Sequence, residues 1–313
     1  MENGNSCIEK GKVMDITAVI LTYNEELHIE RCISSINDVC RKIIVVDSFS
    51  EDNTLGIAIK YGADIYQNEW NGSYSAQFNW ALENCKIDSD WVLRIDADEY
   101  FTPELVMEIL AINKVQNHIT GFVIKRRHIF MDRWVKRGVY PVRLLRLFKL
   151  DVGYCEQKWM DEHIVLTEGQ TVELKSDFVD HSLKSMDWWL KKHLHYAYRE
   201  ACDLINIRLN YELLSNRKEE NSLTPRMKEI YVKTPVILRV ILLYCYRYII
   251  RGGFRDGIPG FYWHLFQGLF YRLLVDYYII QIRLECGDDL NLIRSWFKNN
   301  ANIDLENIHL KDG

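Results

Sequence analysis

VLRIDADEY, residues 92–100, decides the reading: an apolar run ends in three carboxylates within four positions, Asp96, Asp98 and Glu99. Along a strand residues i and i+2 share one side, so Asp96 and Asp98 converge on a single cation just beyond the carboxyl end of a sheet. Hard divalent cations take oxygen ligands, and Mg2+ sites use one or two carboxylates plus substrate phosphates, so Mn2+ or Mg2+ clamping a diphosphate is the expected chemistry. A DxD tripeptide alone is most simply a solvated strand end. Three carboxylates this close, however, repel one another unless a cation offsets them.

Upstream, three further β-branched runs, ITAVILT (16–22), KIIVVDS (42–48) and ADIYQN (63–68), precede the strand WVLRID (91–96). Between them lie NEELHIERCISSI, NTLGIAIKYG and YSAQFNWALENC, whose apolar residues recur at three and four positions. That alternation is the pattern of βα units on a parallel sheet. Downstream, FTPELVMEILA predicts a helix opened by Thr102 as N-cap with Pro103 at the first helical position. GFVIKRRHIF (121–130) and VRLLRLF (142–148) continue the sheet, with shorter strands to about residue 182. From Ser185 the composition turns to long helical runs, broken near Pro225, Pro235 and RGGFRDGIPG (251–260). The expected organisation is an α/β domain over 1–184, a Rossmann-like mixed sheet flanked by helices, and a helical C-terminal extension over 185–313.

Charge and cysteine content narrow the class. A net charge of -5 over 313 residues excludes the basic footprint of a nucleic-acid binder. The 8 cysteines are scattered without a CxxC pair, as reduced thiols are, and MENGNSCIEKGK has no secretory leader pattern, so a cytoplasmic location is expected. Arg239, Arg247, Arg272 and Asp276 interrupt VILRVILLYCYRYII (236–250) and LFQGLFYRLLVDYYIIQI (265–282), which rules out spans of about 20 apolar residues. Such interleaving suits a peripheral membrane surface; a buried helix pair and a homo-oligomer interface stand beside it.

Two loops follow the early strands. LTYNEE (21–26) is read as opening a helix, with Asn24 or Thr22 as cap and free N–H groups for phosphate. In VVDSFSEDNT (45–54), Asp47 ends a strand where a ribose hydroxyl or base edge is held, while Ser50, Asp52 and Asn53 turn into a helix and Asp52 serves as ligand or cap. His193 and His195 in HLHY sit two apart on a helix, facing different sides, and form no metal pair.

AVILTYNEE, IIVVDSFSEDNT, EWNGSYSAQFNWAL and DWVLRIDADEY, in this order and spacing, resemble the family 2 glycosyltransferases, most of all the bacterial branch of lipopolysaccharide-core and capsule glucosyltransferases. The resemblance covers about residues 15–182, and RGGFRDGIPGFYWHLFQGLFYRLL resembles that branch's C-terminal segment. It implies a GT-A fold, an inverting displacement, a UDP-sugar donor and a divalent metal. The acceptor it implies is a lipid-linked, lipopolysaccharide or capsule saccharide at the inner face of the plasma membrane. Thr22, Tyr23, Asn24 and Glu25 would line the nucleotide pocket with Asp47 and Asp52. Gln77 and Asn79 would meet the base or ribose. Asp96, Ala97 and Asp98 would face the diphosphate, with Asp98 the more direct metal ligand and His181 completing the site. In KWMDEHIVL (158–166), Glu162 matches the family's acidic position and Asp161 stands where the branch carries a His, leaving either as the base that takes the acceptor's proton. Arg143 and Arg146 are read as phosphate contacts or as solvated strand arginines. A peptide glycosyltransferase of the same fold and a non-catalytic nucleotide-binding scaffold are the alternatives. A nucleotidyltransferase would want a glycine-rich basic loop where LTYNEE has neither glycine nor lysine.

Overall fold

The computed structural model describes residues 14–156, 162–214, 236–287 and 289–301. The first four strands fall where the apolar runs place them: β1 (Ile16–Thr22), β2 (Lys42–Asp47), β3 (Asp64–Gln67) and β4 (Trp91–Asp96). They are joined by α1 (Ile29–Ile36), α2 (Thr54–Lys60) and α3 (Tyr74–Asn84). Then come β5 (Glu99–Phe101), α4 (Pro103–Leu110), β6 (Ile119–Phe130), β7 (Arg133–Val135) and β8 (Val142–Lys149). The strands end with β9 (Gly153–Cys155), β10 (Ile164–Leu166) and β11 (Gln170–Asp180).

Nine strands form one mixed sheet in the order β3-β2-β1-β4-β8-β6-β11-β5, with β7 paired to β6. Strand β1 lies parallel to both β2 and β4, so the chain reverses its direction of travel across the sheet there. Ligand crevices in open α/β sheets form outside the carboxyl ends of the strands at such a switch. Because β8 runs antiparallel to both β4 and β6, and β11 is parallel to β6, the carboxyl ends of β1, β4, β6 and β11 share one edge.

Alternation in the strands fills both faces. Ile16, Ala18 and Ile20 pack with Ile29, Cys32 and Ile33 of α1 and with Leu105 and Ile109 of α4, while Val19, Ile44 and Val92 pack with Phe78 and Ala81 of α3. Each such isoleucine, leucine, valine or phenylalanine, wholly out of water, contributes about 1.5–3 kcal/mol. The predicted cap is present: the Thr102 hydroxyl accepts from the N–H of Leu105, with Pro103 opening α4.

Three local features differ from the sequence reading. The acidic turn runs straight into β5, a three-residue strand that pairs antiparallel with the end of β11, Glu99 opposite Asp180. Strands β9 and β10 leave the main sheet as a separate antiparallel pair. Neither Asn24 nor Thr22 caps a helix, because α1 begins only at Ile29.

Helices take over after the sheet: α5 (Met186–Leu214), α6 (Val236–Cys245), which continues in wider turns to Ile250, α7 (Gly257–Trp263), α8 (Tyr271–Cys286) and α9 (Leu290–Ala301). Ala197, Ala201 and Cys202 of α5 pack against Val275, Ile279 and Ile282 of α8 and Phe297 of α9. The glycine-rich break is real, with Gly252 and Gly257 at φ 74° and 69°; the breaks expected at Pro225 and Pro235 lie outside the described residues. Among the described residues no helix is long and apolar enough to cross a membrane.

Candidate active site at the carboxyl edge of the sheet

The ends of β1 and β2 are laced together. The Thr22 hydroxyl donates to Asp47 Oδ1 (2.9 Å), and Ser50 donates to the same carboxylate through its N–H (2.8 Å) and its hydroxyl (2.5 Å). Asp47 is fully buried, and its oxygens are spent on this turn. The backbone N–H groups of Asn24, Glu25 and Glu26 donate to Ser50 Oγ, Thr54 Oγ1 and Asp52 Oδ2 at 2.8, 2.7 and 3.1 Å. Asn24, left-handed at φ 54°, accepts from the N–H of Glu51 (2.8 Å). The N–H groups expected to meet phosphate are therefore taken by the neighbouring loop. Tyr23 remains exposed at the rim.

Glu25 ties this loop to the far side of the sheet. Its carboxylate accepts from Lys184 Nζ (2.7 Å) and lies 2.6 Å from His28 Nδ1, while the N–H of Leu183 donates to His28 Nε2 (2.7 Å). Burial alone would raise the Glu25 pKa, but the His28 and Lys184 bonds outweigh it and hold the group below its ordinary value.

At the end of β4 the balance is different. Asp96 is held by Arg146 at 3.3 Å, and Arg146 also grips the buried Glu99 at 2.6 Å. Burial opposes ionisation of Asp96, yet Arg146, Arg94 and Arg126 keep its pKa low. Asp98 lacks that support: burial, reinforced by the negative charges of Asp180, Glu25 and Asp96, pushes its carboxyl up to about 6 against a partial counter-effect from Lys192 of α5. The side chain of Ala97 packs inward with the core.

The β5–β11 ladder brings His181 to Asp98, with the His181 N–H donating to the Asp98 carbonyl (3.1 Å). Arg31 of α1 also donates to the carbonyls of Asp98 and His181. The His181 ring has Nδ1 3.2 Å from Arg31 and Nε2 3.3 Å from Asp132, so ligation would require it to leave one of them. Next to it a carboxylate oxygen of Asp180 lies 3.1 Å from His128 Nδ1.

Gln77 and Asn79 are committed elsewhere. Buried Gln77 bonds to Ser48 and Asn68, pinning the loops after β2 and β3, and Asn79 pairs with the N–H and carbonyl of Cys155 (2.8 Å each). Glu162 faces the site through Arg94, whose Nη2 donates to it at 2.6 Å, and both side chains are at least 90% buried. Asp161 lies outside the described residues. Arg143 is an exposed partner of Glu173, as read, but Arg146 is buried, because a solvated arginine could not hold two carboxylates below the sheet edge.

Arg31, Asp180 and Lys192 went unread, since each meets the site from a distant part of the chain, and Arg94 went unread although it stands two residues before Asp96. The donor set fits a hard divalent cation: oxygen ligands from Asp98 and Asp96, one of them short of positive charge. Among the described residues no group of three or more His, Cys, Asp or Glu forms a self-sufficient cage, so donor phosphates would complete the coordination. His193 is no ligand, for it stacks on Trp189 and bonds that residue's carbonyl (2.9 Å), with burial pushing its pKa down to about 4.

The model of glycosyl transferase family 2 matches residues 17–164. An uncharacterized glycosyltransferase of Rickettsia bellii is 44% identical over 38% of this chain and 39% of its own length, so the chain spans about two fifths of that relative. The lipopolysaccharide core biosynthesis glycosyltransferase LpsC of Rhizobium meliloti is 26% identical over 79% of this chain and 86% of its own. Among solved structures, S. aureus TarS 1-349 is 17% identical over 62% of this chain and 66% of that one, at a TM-score of 0.40, so the fold rests on the strand order itself. With the parallel β1–β4 core, the switch beside β4 and the acidic turn that follows it, residues 17–164 are a glycosyl transferase family 2 domain.

Proposed function

We propose that this protein is an inverting glycosyltransferase that moves a sugar from a UDP-sugar donor to a lipid-linked, lipopolysaccharide or capsule saccharide acceptor. The reaction uses Mn2+ or Mg2+ and works at the cytoplasmic face of a membrane. The observation that carries the reading is the Asp98 carboxylate, set at the switch point and crowded by burial and by Asp180, Glu25 and Asp96 until its pKa stands near 6. Such a group is short of exactly one kind of partner, a cation. LpsC, similar over most of both chains, supports a lipopolysaccharide-type acceptor.

The nucleotide enters the crevice outside β1 and β4, against Thr22, Tyr23 and the loop locked by Asp47 and Asp52. Asp98, with Asp96 beside it, would hold the cation, whose positive charge would offset the negative charge of the departing diphosphate. Lys192 adds a positive charge on the same side. Opposite, Glu162 or Asp161 takes the proton of the acceptor hydroxyl as its oxygen bonds the anomeric carbon and the carbon–oxygen bond to UDP breaks, with inversion. Arg94 orients Glu162 at 2.6 Å. Transfer from UDP-sugars, assayed with Mn2+ and after its removal by chelator, tests the proposal. Metal-dependent transfer that vanishes in Asp98→Ala supports it, and undiminished transfer by that variant defeats it.

A further inference from the structure

We propose that residues 249–258, the turn joining α6 to α7, dock on an anionic lipid surface. Ile250 and Ile258 are 74% and 67% exposed, and Ile249 and Phe254 are more than half exposed. Single exposed apolar residues are ordinary, but four on one short turn make a tip that water does not favour. Between them Arg251 and Arg255 are exposed. The turn's one acid, Asp256, points inward: its carboxylate accepts from Arg137 Nη1 (2.7 Å) and from the N–H groups of Lys136 (2.8 Å) and Arg137 (2.6 Å). The tip therefore presents only apolar side chains and positive charge, in a chain of net charge -5.

Apolar side chains flanked by arginine complement a bilayer interface with anionic headgroups, where the rings and branched chains bury among acyl chains and the guanidinium groups stay at the phosphates. A second copy docking by its own tip would set arginines against arginines. The mount is rigid. His264 Nε2 lies 3.1 Å from the Arg137 carbonyl, and a Cβ on Gly253 would fall 2.4 Å from the same ring nitrogen, so nothing larger than glycine lets the tip close on β7. The β6–β7 turn in turn carries Asp132, 3.3 Å from His181. A docked tip thus holds the crevice at the bilayer surface, where the lipid-linked acceptor of the proposed function would lie. The docking rests on that reading only for its purpose.

The test sediments the full chain with vesicles of phosphatidylethanolamine and phosphatidylglycerol, and with vesicles of phosphatidylcholine alone, while UDP binding is measured on the same samples. The expected result is salt-sensitive pelleting with the anionic vesicles only. It should weaken more than about tenfold in the double variant Arg251→Glu, Arg255→Glu and in Ile250→Glu, with melting temperature and UDP binding unchanged. Wild-type protein left in the supernatant, equal pelleting with both lipids, or variants that pellet like wild type would overturn the proposal. So would a self-association in sedimentation equilibrium that Ile250→Glu abolishes, which assigns the tip to a second copy. UDP binding reports on the transfer reading separately, because docking needs no donor.

Discussion

The carboxyl ends of β1 and β4 lie side by side, yet one is complete and the other is not. Around β1, Asp47, Asp52 and Glu25 each accept hydrogen bonds from neighbouring donors, supplied by Thr22, Ser50, Thr54, His28 and Lys184. At the end of β4, Asp98 is forced up to about 6 by burial, reinforced by the negative charges of Asp180, Glu25 and Asp96. One side is a scaffold of mutually satisfied polar groups, and the other is a crowd of carboxylates that the proposed cation would offset.

That contrast is most easily broken by substitution. Asp98→Ala should lower both transfer and donor hydrolysis by about 1000-fold, the upper range for losing one electrostatic stabiliser of a transition state. Activity within a few fold of wild type would mean the end of β4 is only a solvated strand terminus. Glu162→Gln should reduce transfer by roughly 100-fold or more while UDP affinity holds. It should also lower stability, because it leaves the buried Arg94 without an anion. A variant that loses stability but keeps transfer would make Glu162 a structural partner and pass the base role to Asp161.

Stability sharpens the same comparison, since the two sides should respond with opposite sign. Asp47→Ala leaves the Thr22 hydroxyl and two Ser50 donors without their acceptor and should cost about 1–3 kcal/mol, read by chemical denaturation. Asp98→Asn should instead raise the melting temperature of the metal-free protein at pH 7. The sign follows from the shift: an acid whose folded pKa lies above its unfolded one burdens the folded state in full above pH about 6, and the burden fades as pH falls from there toward the ordinary carboxylate value. The advantage of Asp98→Asn should therefore shrink toward pH 5, and equal gains at both values would contradict it.

Much of this was legible in the sequence where local rules decide. The runs at 16–22, 42–48 and 91–96 became strands almost to the residue, and Thr102–Pro103 opened its helix, because alternation and capping act over a few positions. The acidic turn was legible as a cluster. Its electrostatics were not: Arg146, Asp180 and Lys192 meet it from 48, 82 and 94 residues beyond Asp98, and no spacing rule reaches that far. Asn24 was misread as a cap for a related reason, since its true partner is the N–H of Glu51 on the adjacent loop. Gln77 and Asn79 carry the residue types of ligand contacts, and only the tertiary packing of α3 reveals that the backbone carbonyls of Asn68 and Cys155 use them first.

The most direct measurement is a calorimetric titration of UDP into wild type and Asp98→Asn at pH 7, with Mn2+ and after its removal. UDP should bind wild type tightly only with Mn2+ present, and the variant should lose that metal-dependent gain while keeping its fold. Equal UDP affinity in both proteins, or in wild type with and without Mn2+, would contradict the assignment of the Asp98 carboxylate to a cation beneath the diphosphate.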